Sequence, residues 1–189
     1  MTITRFINSV FFSNSFIIEE EGEAILVDVG DWKPLSSFLA SRNLDLKAVF
    51  LTHTHYDHIY GIRDLMKEYP SVLIYTSSFG KEALAKSNWN FSRYHDDPIE
   101  IKSSQIIPLS DNQEIDISNL VKVKIIATPG HDKSCLSYII GDSLFSGDSY
   151  IPNIKVIASF PNSDKQQATH YYNFLQSLSK KYHLYPGHN

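Results

Sequence analysis

The sequence predicts an α/β protein in which helices cover a sheet. Two observations predict it. Between residues 24 and 87 short apolar runs with strand character alternate with helical patterns, and from Gln105 to Ile140 the pattern turns to strands separated by turns. A third observation locates the chemistry: His and Asp residues recur just after the ends of the expected strands.

The first thirty residues read as a hairpin, with strands at Val10 to Glu19 and Ala24 to Val29 around a turn at Glu21-Gly22. Asp28 closes the second strand. A carboxylate there either caps a turn or hydrogen-bonds to a loop nearby and holds it in shape. Pro34 to Leu44 reads as a helix, with proline in its first turn and Leu35, Phe38 and Leu39 as its apolar residues.

Ala48 to Thr52 is a short apolar run bounded by polar residues, as a buried strand is. It leads into His53-Thr54-His55-Tyr56-Asp57-His58, then Gly61 and a helical pattern over Ile62 to Tyr69. In extended chain, residues i and i+2 point the same way, so His53 and His55 can grip one ion. As the chain turns toward the helix, Asp57 and His58 are aimed elsewhere, which suits a second ion. Histidines also cluster in surface loops by chance. Here three of the eight histidines fall in six residues, beside a carboxylate and after a buried strand.

A strand at Val72 to Tyr75 and a helix at Phe79 to Lys86 continue the alternation. Asn88 to Asp97 is an aromatic, polar loop. It is either a lid over a pocket or, as the favoured reading, a loop whose aromatics tuck against the body; His95 is not read as a ligand. Val121 to Ile126 alternates as a strand. Three further ligand candidates follow strand, turn residue, ligand in that order: His131 after Pro129-Gly130, Asp148 after Ser146-Gly147, and His188 after Pro186-Gly187. A helix is expected over Asp164 to Lys181. Five histidines and two aspartates suffice for two ions with open positions.

The bulk properties exclude several classes. With 189 residues, 42% hydrophobic and 20% charged, the chain is expected to form one globular domain spanning 1–189, with no linker or repeat. A net charge of −4 gives no basic footprint for nucleic acid or an anionic membrane. Cys135 is the one cysteine, so no internal disulfide forms. No apolar run approaches the ~20 residues of a membrane span. The N-terminal stretch around Arg5 lacks the apolar core of a signal peptide, so cytoplasm is the expected location. Eleven Phe and eleven Tyr leave room for a dimer surface, and the expected partner is a small-molecule substrate.

The HTHYDH turn, TPGH, SGD and the terminal PGH, in that order and preceded by VDVG, resemble the metallo-β-lactamase superfamily over nearly the whole chain. The resemblance implies an αββα sandwich, two mixed sheets face to face with helices on the outer faces and metals at one sheet edge. It implies one ion on His53, His55 and His131, a second on Asp57, His58 and His188, and Asp148 bridging both. Two divalent ions are implied, zinc foremost, with iron or manganese acceptable to the same donors.

Differences within the family narrow the activity. The commonest zinc β-lactamases resemble this chain in the first turn but carry cysteine where Asp148 stands, which disfavours antibiotic hydrolysis; Cys135 reads as a small buried residue. The acidic replacement near His55 that marks flavodiiron proteins is absent, and the nucleic-acid-processing branches are longer and more basic. The compact glyoxalase II-like hydrolases resemble the chain most. Glyoxalase II itself has a further helical region for glutathione, so the expected substrate is a small thioester or ester rather than a glutathione thioester in particular.

The expected reaction is metal-dependent hydrolysis, with Asp57 orienting the nucleophile and moving its proton. Lys155 either meets an anionic substrate group or is a solvated lysine, and Tyr150 either lines the pocket or packs. His170 and His183 read as structural or surface residues. Three alternatives accompany this reading: a lactonase or phosphodiesterase on the same two ions, a persulfide dioxygenase using one iron at the three-histidine site, and a non-catalytic metal-binding module. The last predicts missing ligands, whereas all seven are present. His188 is penultimate, so the second ion is expected to be held more weakly.

Overall fold

The computed structural model describes residues 1–118 and 121–189. Six strands form the first sheet in the order β1 (Thr2–Ile7), β2 (Asn14–Glu20), β3 (Glu23–Val27), β4 (Asp45–Phe50), β5 (Leu73–Ser77) and β6 (Ile106–Leu109). The first three run antiparallel as hairpins, and β3 to β6 run parallel. Parallel neighbours need crossovers, supplied by α1 (Trp32–Ser41), α2 (Ile62–Glu68) and α3 (Ser78–Leu84).

The second sheet contains β7 (Glu114–Ile117), β8 (Val121–Ala127), β9 (Leu136–Ile140), β10 (Ser143–Gly147) and β11 (His183–Pro186), in the spatial order β11-β10-β9-β8-β7. It is antiparallel except for the β10–β11 pair, which α4 (Lys165–Leu178) connects. Both sheets are therefore mixed. Residues 119 and 120, within the strand-and-turn stretch expected over 105–140, lie outside the described residues.

Period-two alternation stacks the layers. On β2, β3 and β4, Phe16, Ile18, Ile25, Val27 and Phe50 point at the second sheet, where Val123, Ile125, Tyr138, Ile140 and Phe145 meet them. The intervening Ile17, Leu26 and Val49 point the other way, against Leu35 and Leu39 of α1 and Ile62 and Leu65 of α2. Strands buried on both faces read as continuous apolar runs, which is why Ala24 to Val27 and Ala48 to Phe50 show no alternation in sequence. On the far side, Leu144 and Tyr150 pack against Leu175 of α4. The order is helices, sheet, sheet, helix: an αββα sandwich. Among the described residues no helix is long and apolar enough to cross a membrane.

Several boundaries differ from the sequence reading: the first helix spans Trp32–Ser41 rather than Pro34 to Leu44, and the strand before the metal turn spans Asp45–Phe50 rather than Ala48 to Thr52. Thr2–Ile7 is an additional edge strand, and the second strand begins at Asn14 rather than Val10. Val10 to Ser13 form a turn instead, with Phe11 and Phe12 at φ of 52° and 56° and both rings exposed. The buried Asn8 amide makes this turn by donating to the hydroxyls of Ser13 and Ser15, each at 3.0 Å. Side-chain chemistry overrides the apolar appearance of Val10-Phe11-Phe12. The strand expected to reach Val29 ends at Val27, because Asp28 takes a left-handed conformation at φ 58°.

Candidate metal centre

All the candidate ligands stand just beyond the C-terminal ends of β4, β8, β10 and β11, which the topology brings to one edge of the sandwich. After β4 the chain stays buried through Leu51 to His55 and then makes a tight helical turn over Tyr56–His58. The ligand atoms of His53, His55 and His131 lie within 4.8 Å of one another. So do those of Asp57, His58 and His188, and those of His53, His58 and Asp148.

The contacts between these groups are close. His131 Nε2 lies 3.0 Å from His55 Nδ1, and His58 Nε2 lies 3.3 Å from His188 Nε2. Asp57 Oδ2 is 3.4 Å from His58 Nε2 and 3.3 Å from His188 Nε2. Asp148 faces both groups: Oδ1 is 3.5 Å from His58 Nε2, while Oδ2 is 3.6 Å from His131 Nε2 and 3.4 Å from His188 Nε2.

Behind His53, His58, His131 and His188 stands a hydrogen-bond acceptor that assigns the tautomer, and behind His55 stands the Asp132 carboxylate at ion-pair distance. His58 Nδ1 donates to Asp28 Oδ2 at 2.9 Å, His131 Nδ1 to the Ile157 carbonyl at 2.7 Å, and His188 Nδ1 to the Phe11 carbonyl at 3.1 Å. His53 Nδ1 lies 3.2 Å from the Thr52 hydroxyl, whose own proton goes to Asp28 Oδ2 at 2.7 Å. His55 is reversed: its Nε2 faces Asp132 Oδ2 at 3.4 Å and its Nδ1 faces inward. Asp132 is itself held by the amide and hydroxyl of Ser134. When all five imidazoles are neutral, every ring thus turns a lone pair to the centre.

This donor set fits divalent cations. Facing lone pairs at hydrogen-bond distance repel unless a proton or a cation lies between them, and His53 Nε2 and Asp148 Oδ1 are buried without any hydrogen-bond partner. The carboxylates of Asp28, Asp57 and Asp132 are buried around the five rings and that of Asp148 is half-buried among them, and buried charge requires a counter-charge.

Protonation divides the cluster in two. Burial, reinforced by the charges of His58 and His55, pushes His53 well below the usual imidazole range, and burial likewise lowers His131. Burial also opposes charge on His58, but Asp57, Asp28 and Asp148 outweigh it and raise this ring to about 9. His188 follows the same logic, since hydrogen bonds to Asp148 and Asp57 outweigh burial and raise it to about 10. Asp148, against its burial, is held well below the carboxylate range by His58 and His188, and Asp57 is lowered in the same way.

Glycines let the strands close in. A Cβ on Gly187 would stand 2.1 Å from Asp148 Oδ1, and one on Gly147, at φ 51°, would stand 2.6 Å from Thr52 Cβ. The segment bearing His188 is tied down by hydrogen bonds from Asn14 N to the Gly187 carbonyl at 2.7 Å and from Gly187 N to the Gly147 carbonyl at 3.0 Å.

The remaining candidates separate. Lys155 lines a cavity of about 200 Å³ together with His131, Asp148 and His188. Tyr150 is buried and packs edge-on against Tyr172, 4.9 Å between ring centres, in the cluster under α4. Asp28 accepts from Thr52 N at 2.7 Å besides its contacts with Thr52 Oγ1 and His58, so it joins the strand end to the metal turn. Cys135 is buried, and His183 is exposed beside Asp142.

In the aromatic loop, Trp89 stacks on Phe79 and His95 stacks on Tyr56, as tucked residues do. Phe91 does not tuck. At φ 60° it brings its ring 4.8 Å from that of His55, where Phe160 joins it at 5.3 Å. Neither ring was foreseen as part of the site, nor were Asp132 and the carbonyls of Phe11 and Ile157. Asp132 follows His131 directly, and that adjacency is the one local signal for any of them.

The family model described as the metallo-beta-lactamase superfamily matches residues 8–188, and the chain belongs to that superfamily, whose members bind divalent metals and are mostly hydrolases. A hydroxyacylglutathione hydrolase from Glaesserella parasuis serovar 5 (strain SH0165) is 30% identical over 139 residues, covering 70% of this chain and 50% of that protein. The chain thus spans about half the length of this curated relative.

The crystal structure of BLEG-1 B3 metallo-beta-lactamase superposes with a TM-score of 0.88 at 21% identity, covering 100% of this chain and 92% of that one. TTHA1623 in a di-iron-bound form gives 0.84 at 19%, covering 98% and 92%. ETHE1 from Myxococcus xanthus gives 0.75 at 21%, covering 100% and 76%. At these identities the likeness is one of fold.

Proposed function

We propose that the chain is a metal-dependent hydrolase whose two-cation centre cleaves a small thioester or ester. The observation that carries the reading is the convergence of five inward imidazole lone pairs and two carboxylates, with a hydrogen-bond acceptor behind four of the rings and the Asp132 carboxylate behind His55. His53, His55 and His131 would hold one divalent cation and Asp57, His58 and His188 the other, with Asp148 facing both. Zinc is expected first, and iron or manganese suits the same donors. Bound there, the cations would lower the pKa of water toward neutrality and polarise a carbonyl oxygen.

The chain's own residues supply position and proton transfer. Asp57 is the proton acceptor: its lowered pKa keeps it ionised at neutral pH, and its Oδ2 stands at the inner edge of the cluster. Ile157 and Phe11 lend only their carbonyls, which stop His131 and His188 from rotating out of the site. Phe91 and Phe160 set apolar surface beside His55, where the acyl part of a substrate displaces water. The hydroxyacylglutathione hydrolase relative supports a thioester as the first substrate class to test.

The test has two parts. Protein purified without added metal or chelator should contain two divalent cations per chain, and the loaded protein should hydrolyse members of a thioester panel. Asp57→Asn, measured with the divalent cation in excess so that the second site stays filled, should lower kcat by about 10²–10⁴-fold. Absence of turnover on thioesters, lactones and phosphodiesters after loading with zinc, manganese or iron would sink the proposal, and a single iron with oxygen uptake would replace it.

A further inference from the structure

Beside the metal centre lies a larger space that the reaction itself does not explain. A cavity of about 800 Å³ runs between the segment Asn153–Ser159 and one face of α4. Its walls are mainly apolar, with Ile154, Val156 and Ile157 on one side and Ala168 and Tyr172 on the other. Ile154 and Ile157 are 41% and 56% exposed, an unusual state for large aliphatic side chains that line a concave space.

The cavity's charge runs against that of the molecule. Although the chain carries a net −4, Lys155 and Lys165 line this space and no Asp or Glu does. Both lysines are exposed, and among the described residues neither has an ion-pair partner. An apolar trough with two uncompensated cations matches a ligand with an apolar body and an anionic end.

The same segment reaches the reacting centre. Ile154, Lys155, Val156 and Ile157 also line the cavity over His131, Asp148 and His188, and the Ile157 carbonyl holds His131. We infer that this trough is a substrate subsite: it receives the distal part of the acyl substrate, an apolar chain ending in an anionic group, with Lys165 as the determinant of that charge. The inference deepens the hydrolase reading and rests on it for the word substrate.

Its test uses a probe that needs no turnover. The fluorescence of 11-(dansylamino)undecanoic acid should rise on binding to the full chain, and the corresponding primary amide should bind at least fivefold more weakly. Lys165→Ala should weaken the acid to the level of the amide, and Thr169→Phe, from the exposed α4 position lining the trough, should abolish binding of both. On thioesters, both variants should keep kcat/KM for an acetyl substrate and lose fivefold or more on an acyl chain with a terminal carboxylate.

A probe that fails to bind, or that binds both variants and wild type alike, overturns the inference, as does an equal loss on short and long substrates. The two readings fail separately. Thioesterase activity without probe binding removes the subsite and leaves the hydrolase, whereas probe binding that obeys the variants without any hydrolysis removes the hydrolase and with it the word substrate.

Discussion

Asp28 Oδ2 lies 2.9 Å from His58 Nδ1, and this contact makes the end of β3 part of the metal turn. The same carboxylate accepts from the Thr52 amide and hydroxyl, both at 2.7 Å, while its backbone stands at φ 58°. A left-handed non-glycine residue with a buried side chain is a cost the fold carries at its centre. Asp28 thereby fixes His58 directly and His53 through Thr52.

Replacing Asp28 with Asn keeps an oxygen for the Thr52 amide and removes the anionic acceptor behind His58. Affinity for the second cation should fall by about 10–100-fold while the first is still bound. Metal content measured after dialysis against a graded series of chelator concentrations checks this, and equal loss of both cations would contradict it.

Metal uptake should be coupled to proton release in a site-specific way. In the metal-free protein at about pH 7, His58 and His188, raised to about 9 and about 10, hold protons that a cation must displace, whereas burial lowers His53 and His131 and favours their neutral form. Calorimetry in buffers of different ionisation enthalpy should report more protons leaving with the second cation than with the first.

The stability of the metal-free fold follows from the same shifts. A histidine raised above its unfolded value stabilises fully below about pH 6.5 and loses that contribution as pH climbs through the folded value. The His58 and His188 contributions should therefore disappear between about pH 7 and 10. His53 and His131, lowered by burial, act oppositely and destabilise the fold on the acid side of about pH 6.5. Thermal unfolding in chelator should peak near neutrality and decline toward pH 10, and a flat alkaline limb would contradict the assignment.

Gly187→Ala tests the close approach of β11 to Asp148. The new Cβ would meet Asp148 Oδ1 at 2.1 Å and His58 Cε1 at 3.1 Å, so the carboxylate must move. Destabilisation of about 1–3 kcal/mol by urea unfolding is expected, with loss of the second cation.

Deleting residues 188–189 should leave one cation per chain and preserve the fold, because the remaining anchors of this segment lie before it. Asn14 donates from its amide nitrogen Nδ2 to the Pro186 carbonyl at 3.0 Å and from its backbone to Gly187 at 2.7 Å. Asn14→Ala, which removes the first of these, should weaken the second cation less than the deletion does. Metal content per chain reads both variants, and the opposite order would contradict His188 as a ligand of the second cation.

Much of the site was legible in the chain because its signals are local. His53 and His55 share a face by the period of extended chain, and His131, Asp148 and His188 each follow a short apolar run and a glycine. The loop at 8–13 was misread, since Phe11 and Phe12 resemble strand residues while Asn8, Ser13 and Ser15 build the turn through side-chain hydrogen bonds. Phe91 was read among tucked aromatics, and only its left-handed backbone aims it at His55.

By itself, the sequence determined the alternation of strands and helices, the placing of each ligand just after a strand and the identities of the seven converging side chains, because each depends on a period or a motif a few residues long. Tertiary structure decided what stands behind them. The carbonyls of Phe11 and Ile157 hold His188 and His131, and a carbonyl carries no mark of residue type. Asp132 faces His55 across 77 positions of chain, and Lys165 faces the segment at Ile154 to Ile157 only because α4 packs beside it. Such partners are chosen by where the two sheets bring distant segments together, and no local pattern encodes that distance.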